Sequence, residues 1–599
     1  MTYDDLVSND YPVWNLERIY QGFSDQKFAD DVQELVQQSH QLLEEIGQPI
    51  PQQKDEQLVF CEKIIDSLVR LNDIEETLFS YTYMVYSSNT SNEEALKKIN
   101  FLEKEFLILK RLWVRFQKLL LKPEFKWQDL INLSPKLRQK QFHLEQFEVL
   151  AKHAMSEEME DLTNDLNRSG AEAWGRLQET ITSHLQTTWD ESTGEKKTLV
   201  ELRQLAADAN RDVRKKAYEL ELRLLKNYEI PLAAALNGVK GTTVTVNQRR
   251  GWKDTLDKSA FQSRISSQAL ETLIQVLNDS LPVFQRYLRL KARALNISVC
   301  AFFDLFAPVG ESQGNISWNE AKDFILTQFS GFSERLSNLA KTAFDEQWIH
   351  AKPMAGKVGG AYCISLPLRG ESRILCNFDG SFGEIKTLAH ELGHAYHFEV
   401  LKKASSWDRA YPMTLAETAS TFAETLVFEA AYQVAPPKQA LNLLENQLQD
   451  ITQVCVDILS RFKFEYEVLS RRAESELSPS ELCELMSDAQ KATYGHGLDL
   501  NYLHPYMWAV KGHYYSHDLA FYNYPYAFGQ LLSLTLYERF REHGRKFSQV
   551  YDEFLASTGK MSCDDAVAIL GEDIKNPHFW QSGIKMVDRL IDEFEKRLA

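Results

Sequence analysis

The sequence predicts a mainly α protein, large, with a small β-sheet set beside one functional helix. Three observations carry this. Apolar residues recur every three or four positions over much of the chain, Ser/Thr-x-x-Glu signals precede several of those stripes, and strand-like segments are confined to 348–380. At 599 residues the chain exceeds one ordinary core, so two or more intimately packed domains are expected.

The amino-terminal stretch MTYDDLVSNDYPVWNLERIY lacks a basic region followed by an apolar one, so no signal peptide is expected. Helical stripes then succeed one another. SNEEALKKINFLEKEFLILKRLW opens on a Ser91-to-Glu94 capping box. Behind it Leu96, Ile99, Leu102, Phe106, Leu109 and Trp113 mark one buried face. Similar stripes run through DDVQELVQQSHQLLEEI, VFCEKIIDSLVRLNDIEETLF, LETLIQVLNDSLPVFQRYLRL and LLSLTLYERFREH. TWDESTGEKK, at 188–197, is a polar turn segment and places a soft boundary near residue 190. That divides the chain into an amino-terminal helical domain, 1–190, and a second domain, 191–599.

Between 348 and 380 the period changes. AYCISLP and RILCNF read as two strands joined by LRGES, and Gly359 and Gly360 leave room for another backbone ahead of the first. A strand followed by a functional helix suits a peptide-binding cleft, because an extended peptide pairs with a strand edge. Strand 373–378, with Arg373, Ile374, Leu375 and Cys376, is the segment expected to hold it.

Charge and cysteine usage exclude several classes. Lys+Arg 67 against Asp+Glu 85 gives a net charge of -18, which disfavours nucleic acid and anionic membrane as partners. No apolar run approaches the roughly 20 residues that span a bilayer. Seven cysteines, scattered singly and without a C-x-x-C pair, speak against a disulfide framework and a thiolate zinc site, and fit a reducing cytoplasm.

The functional helix is SFGEIKTLAHELGHAYHFE, Ser381 to Glu399. Ser381 and Glu384 form a capping box, and Ile385, Leu388, Ala389 and Leu392 supply the apolar face. His390 and His394, four apart, project from one side and can grip one ion; Glu391 reaches a water beside it. This is the H-E-x-x-H arrangement of zinc peptidases. Gly393, between the two histidines, costs about 1 kcal/mol in a helix relative to Ala, which predicts close approach of a partner helix.

A catalytic zinc takes three protein ligands. His397, a further turn along, is poorly placed for the same ion, and a distal-histidine pattern would need Gly at 397 and His at 400, where the sequence has His397 and Val400. That leaves a glutamate from a following helix. YPMTLAETASTFAETLVFEAAY carries Pro412 at its start, a Thr414-to-Glu417 capping box, and Glu417 and Glu424 on one face. Two acids beside Ala416 and Ala423 are costly unless something positive lies opposite, and zinc is the economical partner.

At this point the sequence resembles the thimet-oligopeptidase-type zinc metallopeptidases, most closely their oligoendopeptidase F branch. The resemblance rests on HELGHAYH with AETASTFAE, on GGAYCISLP and SRILCNFDGSFGEIKTLAHELGH upstream, and on YGHGLDLNYLHPYMWAVKGHYY and FYNYPYAFG downstream; it covers most of 200–580. It implies a helical zincin-like (gluzincin) fold around a deep channel that admits short unstructured peptides. It implies one Zn2+ held by His390, His394 and Glu417, which activates a water for attack on an internal peptide bond with Glu391 as general base. His513 in GHYY, with His517 as a rival, and Tyr522 and Tyr524 in FYNYPY match the family's oxyanion donors. Glu424 and His397 are the candidates for orienting the ligating imidazoles. Two other readings remain open here: a helical zinc carboxypeptidase, which would use Arg369 or Arg373 to hold a terminal carboxylate, and a peptide-binding protein without turnover.

Overall fold

Helices dominate the computed structural model, which describes residues 11–311 and 314–598. The first ten residues of the stretch read for a signal peptide lie outside the described residues. Two long helices, Gln26–Ile46 and Lys54–Ser88, open the chain. The second buries Cys61, Ile64, Ile65, Leu68, Leu71 and Ile74, the three-and-four stepping expected of a one-faced helix. The next stripe departs from its expectation. Asn92, not Ser91, caps it by accepting from the Ala95 N–H at 3.0 Å, and the helix divides into Glu93–Glu105 and Leu107–Leu120. Leu96 consequently faces solvent.

Side chains from Trp14 to Leu144 form one apolar core, which is closed by Leu366, Leu375 and Trp407 from far along the chain. The polar segment near 190 is itself structured: β1 (Gln186–Asp190) and β2 (Glu195–Thr198) form an antiparallel hairpin, with Gly194 at φ +71 in its turn. Thr198 and Glu201 then make a reciprocal capping box for the following helix.

The sheet near the functional helix has three strands, in the order β3 (Ile349–His350), β5 (Glu371–Leu375), β4 (Tyr362–Leu366). β3 pairs parallel with β5, and β4 pairs antiparallel. The strand expected to receive a peptide is therefore the middle one. Arg373, Ile374, Leu375 and Cys376 are all fully buried, and both edges of β5 are occupied. These four residues are corrected out of the peptide-binding set; the sheet's edges are β3 and β4, and β4 is the one that packs on the functional helix. The Arg373 guanidinium donates to Glu371 Oε2 at 2.9 Å and to the Ser372 carbonyl at 2.8 Å, so it holds the sheet. Tyr362 Oη and Ser87 Oγ, 2.6 Å apart, tie β4 to the helix Lys54–Ser88.

Three helices stack in sequence from β4: Phe382–Leu401 packs on the strand, Thr418–Val434 packs on Phe382–Leu401, and Tyr524–His543 packs on Thr418–Val434. Gly393 lies where the first two cross. A Cβ there would fall 2.5 Å from the Ala419 carbonyl oxygen and 2.6 Å from Ser420 Cα, so the predicted close approach is present. Among the described residues, no helix is long and apolar enough to cross a membrane.

Candidate active site

Ser381 starts the functional helix as expected, its Oγ accepting from the Glu384 N–H at 3.2 Å. The reciprocal half of the box is supplied elsewhere: the Ser381 N–H donates to Asp379 Oδ1 at 2.8 Å, which leaves the Glu384 carboxylate free to face a cavity. The second expected box does not form. Thr414 donates to the Ser263 carbonyl at 2.8 Å, and Glu417 occupies the joint between the short helix Met413–Ala416 and Thr418–Val434. That joint turns its carboxylate toward the histidines, where Ser420 Oγ donates to Glu417 Oε2 at 2.9 Å.

The result is a tight triangle. His390 Nε2 and His394 Nε2 are 3.1 Å apart, and Glu417 Oε2 lies 3.2 Å from the first and 3.4 Å from the second. Tetrahedral zinc with bonds of about 2.0–2.1 Å sets its donors about 3.3–3.4 Å apart, so the three atoms fit that ion closely. Among the described residues, these three are the group that could hold a metal. His390 Nδ1 lies 2.5 Å from Glu424 Oε1, which leaves Nε2 to face the triangle; the other Glu424 oxygen lies 3.7 Å from Lys386 Nζ. Burial alone would make His390 harder to protonate, yet Glu417 and Glu424 raise it to about 10. The same field would favour a metal cation. Burial likewise opposes charge on Glu417, but His390 and His394 hold its carboxyl well below the usual carboxylate range.

Glu391 is 5% exposed, and its Oε2 has no hydrogen-bond partner among the described residues. Burial raises its pKa above the ordinary glutamate value, against the pull of the neighbouring histidines. It lines a cavity of about 530 Å³ together with His390, Gly360 and Ala361. Gly360 has φ +77, and a Cβ at Gly359 or Gly360 would meet nothing within 4 Å, so space is open ahead of β4.

His397 is fully buried, its ring stacked on Tyr411 at 4.0 Å and its Nε2 2.8 Å from Thr558 Oγ1. No hydrogen bond links it to the imidazole of His390 or His394, so of the two orienting candidates Glu424 alone touches one of them. The His513 ring lies 5.2 Å from that of Tyr522 and 6.4 Å from that of Tyr526, while His517 Nε2 turns away to Asn167 at 3.1 Å. Burial, then Arg461 and Lys511, lower the His513 pKa, which favours a neutral ring.

Tyr524 is corrected out of the site. It is fully buried, with its hydroxyl bonded to the Ser259 carbonyl at 3.1 Å and to Ser263 Oγ at 2.9 Å. The phenol beside His513 and Tyr522 is instead Tyr526, its ring 6.4 Å and 5.8 Å from theirs. Its pKa is raised by burial and then by Tyr522 and Glu417, so the phenol stays a donor. No helical period pointed to it, because Tyr522 lies ahead of the helix Tyr524–His543 and the two rings meet edge-on at 5.8 Å only in the folded chain. Close approach here depends on Gly529, where a Cβ would sit 3.1 Å from Glu417 Cβ.

Comparison with known proteins places this geometry. The profile of Peptidase family M3 matches residues 204–586, and that of Oligopeptidase F matches 119–186. The chain belongs to peptidase family M3. Within this family it is 25% identical to Oligopeptidase PepF of Bacillus subtilis over 393 residues, 65% of this chain and 58% of that protein. It is 26% identical to the chromosomal oligoendopeptidase F of Lactococcus lactis subsp. cremoris over 399 residues, 65% of each. The match thus spans 58–65% of the length of these two relatives. The fold is shared more widely: a crystal structure described as a peptidase from Chlamydophila abortus superposes with TM-score 0.81 at 19% identity over 98% of both chains. Oligoendopeptidase F from Enterococcus faecium gives 0.68 at 17%, covering 97% of this chain and 99% of that one. A large, mainly helical M3 fold with small sheets, as read from the sequence, is therefore present.

Proposed function

We propose that this M3 member is a zinc-dependent endopeptidase that hydrolyses internal bonds of short, unstructured peptides. The observation that carries the reading is the triangle of His390, His394 and Glu417, sized for one zinc ion, with the unpartnered Glu391 carboxylate beside it. When bound, zinc supplies a Lewis acid that polarises the scissile carbonyl and acidifies water. Glu391 takes the proton of the attacking water and passes it to the leaving amine nitrogen. Tyr526 and Tyr522, with His513, donate hydrogen bonds to the carbonyl oxygen as it gains negative charge. Glu424 fixes the His390 ring. The β4 edge, with Gly359 and Gly360 ahead of it, receives the peptide backbone by strand addition. The chain divides into an amino-terminal helical domain, 1–190, and a catalytic domain, 191–599. A reducing cytoplasm agrees with seven cysteines that are all free.

The carboxypeptidase reading loses one of its two cations, since Arg373 is buried against Glu371. Arg369 is half exposed, with Glu371 at 3.9 Å. A peptide with acetylated and amidated ends separates the two readings: cleavage at an internal bond is expected, and a strict requirement for a free carboxylate would overturn the endopeptidase assignment.

A further inference from the structure

The cavity beside His390 and Glu391 extends along the first two turns of the functional helix to Glu384, and its far side is formed by the helix Pro437–Thr452. Phe382, Phe428 and Leu443 supply apolar wall, and the Glu384 and Asp450 carboxylates face the same space. Apolar wall beside carboxylates in one cavity matches a long side chain that carries an apolar stem and a cationic head.

The charges facing the cavity leave that head wanted. Lys386, the cation in its lining, is committed: its Nζ donates to Asp450 Oδ2 at 3.0 Å and to Gln447 Oε1 at 3.1 Å, and lies 3.7 Å from Glu424. Lys357 lies near Glu384, but its ammonium donates to the carbonyls of His350, Lys352 and Cys376 at 2.6–3.0 Å. Among the described residues, the Glu384 carboxylate has no hydrogen bond and no ion pair within 4 Å. Burial, then repulsion from Asp379, pushes its pKa up to about 7, so its charge is poorly compensated in the free protein. Separately, Glu391, nine-tenths buried and with its Oε2 unpartnered among the described residues, lines this cavity, as a polar group awaiting a ligand would.

We infer that this cavity is a specificity subsite for a lysine or arginine side chain next to the scissile bond, with Glu384 as its recognition residue and Asp450 assisting. The inference rests on the endopeptidase reading and deepens it. The cavity adjoins both Glu391 and the β4 end at Gly360 and Ala361, so a side chain entering it comes from a residue flanking the cleaved bond. Glu384 touches neither the metal triangle nor the reacting carbonyl; its effect is on which peptide is chosen.

The test uses end-blocked peptides identical except for lysine, norleucine or glutamate at one of the two positions flanking the cleaved bond. Norleucine keeps the stem and removes the charge. At one of those positions the metal-loaded protein is expected to favour lysine over norleucine by about tenfold or more in kcat/KM, the scale of a charge-assisted contact. Glu384→Gln should bring that ratio near one, and Glu384→Lys should invert it in favour of glutamate. A ratio isolates selectivity from any loss of folded protein. Equal use of lysine and norleucine by the parent protein, or an undiminished preference in Glu384→Gln, would overturn the subsite. Calorimetric binding of the same peptides to the Glu391→Gln protein separates the two layers. A lysine preference in binding, with no cleavage by the parent, would refute the peptidase reading while keeping the subsite; equal binding would refute the subsite.

Discussion

His390 and His397 stand two turns apart on one helix and have opposite fates. Two carboxylates raise the first to about 10, while burial against Tyr411 without an acid, and then His394, lowers the second to about 3. A buried neutral histidine takes up a proton on unfolding below its ordinary value near 6.5, so its contribution is intact above that pH and is lost as pH falls toward 3. For His397 this amounts to about 2 kcal/mol between pH 7 and pH 5. Urea midpoints of the metal-free protein at the two pH values should drop more in the parent than in His397→Asn; equal drops would remove His397 as the source. The grouping of His390 and His394 beside Glu391 was legible because helical spacing fixes what two histidines and a base can do together. Tyr526 was not, because the irregular 511–523 segment ahead of it offers no period to read. Tyr526→Phe should lower kcat by about 10²–10³-fold, the usual loss for one oxyanion donor. Tyr524→Phe, removing two core hydrogen bonds, should instead lower the melting temperature; steady-state kinetics and calorimetry on both variants test the exchange of roles.

Among elements, the crossing of Phe382–Leu401 with Thr418–Val434 sets the site, because it brings Glu417 against the two histidines. Gly393 is the contact point, and two effects of opposite sign compete there. Helix propensity alone would make Gly393→Ala stabilising by about 1 kcal/mol. A methyl 2.5 Å from the Ala419 carbonyl forces the helices apart, and overpacking costs about 1–3 kcal/mol. Backbone atoms yield little, so overpacking wins: the variant should unfold at lower urea and bind zinc more weakly. A more stable variant with unchanged zinc affinity would contradict this crossing. The sequence showed why a glycine belonged at 393, since the cost inside a helix asked for a reason. It did not show which strand was the edge. Ile349–His350 is too short to read as a strand, yet pairing with it makes β5 the middle strand and hands the peptide edge to β4. Capping was legible to within a residue at Asn92 and Ser381. It failed at Thr414, whose hydroxyl finds a tertiary partner, the Ser263 carbonyl.

At the scale of the molecule, the amino-terminal helices and the catalytic region are joined by more than apposition. Leu366 and Leu375 of the sheet and Trp407 complete the amino-terminal core. Buried Lys140 and His143 both reach Asp408, shortly after the functional helix, and Arg409 pairs with Asp73. Such buried pairs are worth little as net stability but penalise any arrangement that separates them, so they fix the relative placement of the two regions. Helical periodicity anticipated the architecture; this seam was invisible in sequence because its partners lie hundreds of residues apart. In the proposed mechanism three side chains hold zinc while Glu391 moves the proton. Its most direct test is mass spectrometry of one end-blocked peptide incubated with parent and Glu391→Gln protein, each verified to carry one zinc. Internal cleavage by the parent, and a loss of at least about 10²-fold in the variant at equal zinc content, is the predicted result. Undiminished cleavage by Glu391→Gln, or none by the zinc-loaded parent, would contradict it.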